Sequence, residues 1–107
     1  MKLWIDDTRP APVGFLHCRS VNAAKAAIEN IEHIDSELLD ESCSGIAVID
    51  IDHDAGDYAS EGGDYIRLLD WLEETGRNYP IRIHSMNPVG VENMRRIIRR
   101  NGWTEVE

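Results

Sequence analysis

The sequence predicts an α/β domain in which a mostly parallel, five-stranded sheet carries helices on both faces. Three observations lead there. Short apolar runs alternate with stretches of helical periodicity along the 107 residues, the order that right-handed crossover units produce. The central run, Ile46 to Ile51, is apolar except at Asp50, as in strands covered on both faces. Breaker residues (Pro10, Pro12, Gly76, Pro80, Gly102) fall between these segments rather than inside them.

Each element has a local reason. Leu3-Trp4-Ile5 is a short strand closed by Asp6-Asp7, and Pro10 and Pro12 then deny the next stretch a helix. Phe15 to Cys18 forms a second short strand. From Val21 to about Leu39 the spacing of Ala24, Ile28, Ile31, Ile34 and Leu38 predicts a helix with one inward stripe, capped by Ser20 or Asn22. Ile46 to Ile51 is the third strand. Gly62-Gly63-Asp64 opens a second helix whose apolar face is Tyr65, Ile66, Leu68, Leu69, Trp71 and Leu72, with Gly76 to end it. Pro80 introduces a strand over Ile81 to Ser85. Asn87-Pro88 starts a third helix, with Val91, Met94, Ile97 and Ile98 inward and Gly102 as its stop. Trp103 to Val106 completes the sheet as an edge strand.

Composition narrows the function. No stretch approaches the roughly 18 apolar residues of a membrane span, and acid at Asp6 comes too soon for a signal peptide. Cys18 and Cys43 form no metal-ligand spacing or disulfide framework, so two buried, reduced thiols in a cytoplasmic protein are expected. Residues 28–74 hold fifteen carboxylates against one base, Arg67, whereas the remaining residues hold five acids and ten bases. With a net charge of −9, the chain has no extended cationic surface for duplex DNA. Arg95, Arg96, Arg99 and Arg100 read as a solvated helix face whose later charges complement the dipole. A small phosphate-bearing ligand remains as partner, through a metal held by carboxylates or through the arginine-rich segment.

In sheets of this kind ligands sit beyond the carboxyl ends of the strands. Three such ends carry chemistry: Asp6-Asp7, Asp52-His53-Asp54 and His84-Ser85-Met86-Asn87. Carboxylates brought together there cannot all stay ionised without a cation, and oxygen donors suit Mg²⁺ or Mn²⁺. His53 offers a neutral nitrogen for acid–base work. Ser85 precedes a helix start, where a hydroxyl and free amides suit phosphate oxygens, and Asn87 either caps that helix or joins the ligand. Arg9 lies two residues past the acid pair and can reach a phosphoryl group. Asp50 also ends an apolar run and shares a strand face with Asp52, so either fits the central carboxylate.

Together, Leu3-Trp4-Ile5-Asp6-Asp7-Thr8-Arg9-Pro10, Asp52-His53-Asp54 and Ile83-His84-Ser85-Met86-Asn87-Pro88 resemble the cyclic-phosphate processing receiver domains, relatives of response-regulator receivers. The resemblance spans nearly the whole chain as one domain. It implies a flavodoxin-like fold, a role on cyclic phosphates of nucleotides or RNA ends, and Asp52 as the central carboxylate. Two departures from ordinary receivers stand out. The first receiver helix has no room after Asp7, and no lysine ends the last strand, the only lysines being Lys2 and Lys25. Ile49-Asp50-Ile51-Asp52 with Ile83-His84-Ser85 is also similar to haloacid-dehalogenase-like phosphatases, but those place their acid pair last and need a lysine before it.

The expectation is a Mg²⁺- or Mn²⁺-dependent phosphoesterase for cyclic phosphates. Asp6, Asp7 and Asp52 hold the metal. His53, Asp54 and His84 compete for proton transfer, and Arg9, Ser85 and Asn87 bind phosphate. The alternative is a non-catalytic receiver-like module that binds a ligand and signals to a partner.

Overall fold

The computed structural model describes residues 1–38 and 45–107, the side chains of residues 35–38 excepted. Leu39 and Cys43, and the side chain of Leu38, lie outside the described part. Four strands run parallel: β1 (Lys2–Ile5), β2 (Phe15–Cys18), β3 (Val48–Ile51) and β4 (Ile81–Ile83), in the spatial order β2-β1-β3-β4. The helices are α1 (Val21–Leu38), α2 (Ile66–Glu74) and α3 (Pro88–Asn101), with a 3-10 turn over Gly56–Ser60. The class is therefore α/β and flavodoxin-like, as expected. The fifth strand is not formed. Instead Glu105 makes a single parallel bridge to Ile81, with Ile81 N donating to Thr104 O at 3.0 Å and Val106 N to Ile81 O at 2.7 Å.

Local chemistry explains the helix ends. Ser20, not Asn22, caps α1, its Oγ accepting from Ala23 N at 3.0 Å. Asn87 caps α3 through Gly90 N at 3.0 Å, with Pro88 in the first turn. Two stripe positions differ from expectation. Ile34 is 45% exposed, and Val91 is only half-buried, its inward place on α3 taken by Gly90.

One core cluster joins Leu3, Ile5, Ile49, Ile51 and Ile81 to Ile28 of α1, Leu72 of α2 and Met94 of α3. Those strand residues occupy alternate positions and so face one side of the sheet. The topology requires it: α1 and α2 each join a strand to one further along the same direction, α3 leads on to the Glu105 bridge beyond β4, and right-handed crossovers then put all three helices on the same face. The receiver-like helix that would cover the other face is replaced by the loop of residues 6–14. Among the described residues no helix lies there, so the expected third layer is missing.

Candidate functional site

The hydrogen-bond ladder continues one residue past the strands. Asp52 N donates to Ile5 O and His84 N to Ile51 O, each at 2.9 Å. This extension fixes Asp6, Asp52 and His84 in one row at the carboxyl edge, all on the face opposite the helices. Here Asp6, Asp7 and Asp52 bring one oxygen each within 4.8 Å of one another. The sequence-predicted metal set is thus assembled, and it excludes Asp50, which lies one pleat lower.

Asp6 is fully buried. Its Oδ1 accepts from the amides of Thr8 and Arg9, each at 3.0 Å, because the loop turns back over it before Pro10. Burial pushes its carboxyl up, but those two amides and His84 outweigh that and hold it below the usual range. Asp52 Oδ1 accepts from His53 N at 2.7 Å. The carboxylate of Asp7 accepts no hydrogen bond among the described residues, whereas its backbone carbonyl accepts from Arg19 Nη1 at 2.9 Å. Gly56 closes this side: a Cβ there would stand 2.4 Å from Asp7 Oδ2. Both oxygens of Asp6 already accept hydrogen bonds, from Thr8 and Arg9 on Oδ1 and from His84 on Oδ2, whereas Asp7 and Asp52 keep oxygens uncommitted among the described residues; with the second lone pair of Asp6 Oδ2, the three form a donor set that a hard divalent cation fits.

His84 sits between two acids. Nδ1 meets Asp50 Oδ1 at 2.6 Å and Nε2 meets Asp6 Oδ2 at 2.9 Å. Carboxylates only accept, so both ring nitrogens donate and the ring is an imidazolium. Burial alone would lower its pKa, but the bonds to Asp50 and Asp6 raise it above the ordinary value. The ring stacks on Trp4, with centroids 3.9 Å apart and planes 4° from parallel. Asp50 is completed by Arg82 Nη1 at 2.9 Å. Asp50 therefore anchors His84 rather than joining the acid cluster.

A second group lies beside Asp52. His53 Nδ1 donates to Asp54 Oδ1 at 2.9 Å, which holds the Asp54 carboxyl below its usual range. Asn87 Nδ2 approaches Asp54 Oδ2 at 3.4 Å while its Oδ1 caps α3. The His53 ring lies on Gly90, where a Cβ would come within 2.4 Å of His53 Cγ. Ser85 Oγ accepts from Asn87 N at 3.1 Å. Arg9 crosses the edge of the sheet, Nη1 donating to His84 O at 2.8 Å.

Sequence reasoning missed Arg19, Tyr65 and Gly90. Arg19 directly follows β2 at the same sheet edge, a position that could have flagged it. Tyr65 read as core and is fully buried, but its hydroxyl donates to Arg19 O at 2.6 Å. Burial first, then the charges of Asp7, Asp6 and Asp52, push its pKa upward. No sequence signal distinguished it from an ordinary apolar position.

The chain matches the family model of the cyclic-phosphate processing receiver domain over residues 1–100 and belongs to that family. Neither the curated proteins nor the solved structures gave a match.

Proposed function

Taking family membership as the premise, we propose that this chain is a metal-dependent phosphoesterase that opens a cyclic phosphodiester on a nucleotide or RNA end. The observation that carries the reading is the convergence of Asp6, Asp7 and Asp52 beside a histidine whose Nδ1 is held by Asp54. Asp6, Asp7 and Asp52 would hold Mg²⁺ or Mn²⁺, which supplies Lewis-acid activation of the phosphoryl group. With Nδ1–H bonded to Asp54, the ring nitrogen of His53 left for proton transfer is Nε2. That nitrogen takes a proton as water attacks phosphorus. One P–O bond to the ribose breaks, and the same proton passes to the leaving oxygen.

Of the three candidates for proton transfer, His84 takes a different role. Both of its N–H groups are committed to carboxylates, so it fixes the orientation of Asp6 and balances charge where ordinary receivers use a lysine. Ser85 has a hydroxyl proton left for a phosphate oxygen, and Arg9 offers the remaining guanidinium donors. Asn87 acts through Asp54 and the helix cap rather than on phosphate.

The test is incubation with 2′,3′-cyclic nucleotides and each metal. Turnover that Asp52→Asn removes is expected, and His53→Gln should lower kcat by about two orders of magnitude. Absence of turnover with every cyclic phosphate and metal, together with a stable acid-labile phosphoryl group on Asp52, would replace this reading with the signalling module.

A further inference from the structure

Ile5 pairs with Cys18 on one side and Ile51 on the other, and Ile51 pairs with Ile83. One residue further along, the four chains of the sheet therefore bring Arg19, Asp6, Asp52 and His84 into a single row. Two acids stand between two cations. His84 commits both N–H groups to Asp50 and Asp6. Arg19 commits one nitrogen, and to a backbone carbonyl: Nη1 donates to Asp7 O at 2.9 Å.

Such a partner sets Arg19 apart in this chain. The sequence has nine arginines against twenty Asp and Glu, and the other eight arginines each stand within 3.9 Å of a carboxylate oxygen. Arg19 pairs with no carboxylate among the described residues, although it lies against Asp7, whose own carboxylate joins Asp6 and Asp52 instead. The residue is nevertheless held at both ends. Its carbonyl accepts from the hydroxyl of the fully buried Tyr65 at 2.6 Å, and its tip is fixed on Asp7 while the side chain stays exposed. The Nε–Nη2 edge is uncommitted among the described residues, and that edge is the fork that grips an oxyanion through two parallel bonds. Fixing the fork before an anion arrives removes the ordering cost of a loose surface arginine. Arg9 is less free, with Nη1 on His84 O at 2.8 Å and 3.8 Å from Asp6 Oδ2.

We propose that Arg19 is the principal phosphoryl-binding arginine of the acidic edge, its Nε–Nη2 fork meeting non-bridging oxygens of a phosphate bound at Asp6, Asp7 and Asp52. The assignment rests on the phosphoesterase reading for the molecule that carries the phosphate, but the contact itself is tested separately. Charge on those oxygens grows as phosphorus becomes five-coordinate, so a guanidinium fixed there favours the transition state over the bound substrate. The competing role is that of a strut, in which Arg19 serves only to place Asp7. The two roles differ in sign toward a cation: removing a nearby positive charge strengthens cation binding, whereas removing a strut weakens it.

Calorimetric titration with inorganic phosphate, in Mg²⁺ and without cyclic substrate, reads the contact directly. Arg19→Gln should weaken phosphate binding about tenfold or more, through loss of charge-assisted bonds. Arg19→Lys keeps the charge but not the fork and should fall between. In both variants the Mg²⁺-induced rise of the thermal midpoint should be at least as large as in wild type. With 2′,3′-cyclic nucleotides, Arg19→Gln should lower kcat about a hundredfold, and Arg9→Gln should lower it less. Unchanged phosphate affinity in Arg19→Gln, wild-type protein that binds no phosphate, or a Mg²⁺ shift that shrinks in Arg19→Gln would overturn the proposal. Turnover undiminished in Arg19→Gln would sink this assignment alone. Phosphate binding that needs Arg19, without turnover of any cyclic phosphate, would sink the phosphoesterase reading alone.

Discussion

The charge on His84 governs the acidic edge. Its two ring nitrogens face Asp50 and Asp6, and its folded-state pKa is raised. A raised pKa contributes stability that is complete below the unfolded value of about 6.5 and is lost as pH rises through the folded value. With chelator present, the thermal midpoint should fall with pH above that point, and imidazole NMR should place the His84 titration above that of a free histidine. His84→Gln should remove this pH dependence and cost about 3–5 kcal/mol, because Asp6 and Asp50 lose the cation between them. A midpoint in the variant with the same pH slope as wild type would refute the assignment.

At the scale of elements, α3 positions the site through its first turn. Gly90 is buried there, and helix propensity alone favours replacing it by alanine by about 1 kcal/mol. Contact with the His53 ring reverses this. Gly90→Ala should destabilise by about 1–3 kcal/mol and lower turnover with little change in KM, measured by thermal melts and steady-state rates. A variant with raised stability and full activity would show that the ring moves aside freely. This dependence is invisible in the sequence, where the periodicity points to Val91 as the inward residue and nothing marks Gly90. Other parts were legible. Periodicity located all three helices, and apolar runs located the four strands, because each has a local cause. The fifth strand failed because Trp103 to Val106 has strand-like residues but meets the sheet only at Ile81, a tertiary fact. Asp50 and Asp52 were indistinguishable by pattern, since both lie on one strand face, and only the row shared with Asp6 separates them.

For the whole molecule, chain order and handedness matter more than any side chain. The one crossover that runs in the opposite direction, from β1 to β2, is made by a loop instead of a helix, leaving a two-layer body with its acidic site at the shared edge. The sequence contained that omission at Pro10 and Pro12, but the usual habit of parallel sheets suggested helices on both sides. The acidic edge should also couple to global stability. A divalent cation that binds the folded state alone stabilises it by about 2.7 kcal/mol at one hundred times its Kd, and so raises the midpoint with concentration. Mg²⁺ or Mn²⁺ should therefore shift the wild-type melt upward, and Asp7→Asn should abolish the shift. An unchanged wild-type melt at millimolar cation would remove the metal from the account. Among the described residues no helix is long and apolar enough to cross a membrane.

The stack of Trp4 on His84 has an optical consequence. A protonated imidazole accepts an electron from an excited indole, so Trp4 should be dark while the other two tryptophans, Trp71 and Trp103, emit. Loading the acidic edge with a cation, or titrating it with alkali, changes what Trp4 faces. The chain thus carries its own spectroscopic gauge of that edge, readable as a gain in emission that Trp4→Phe erases.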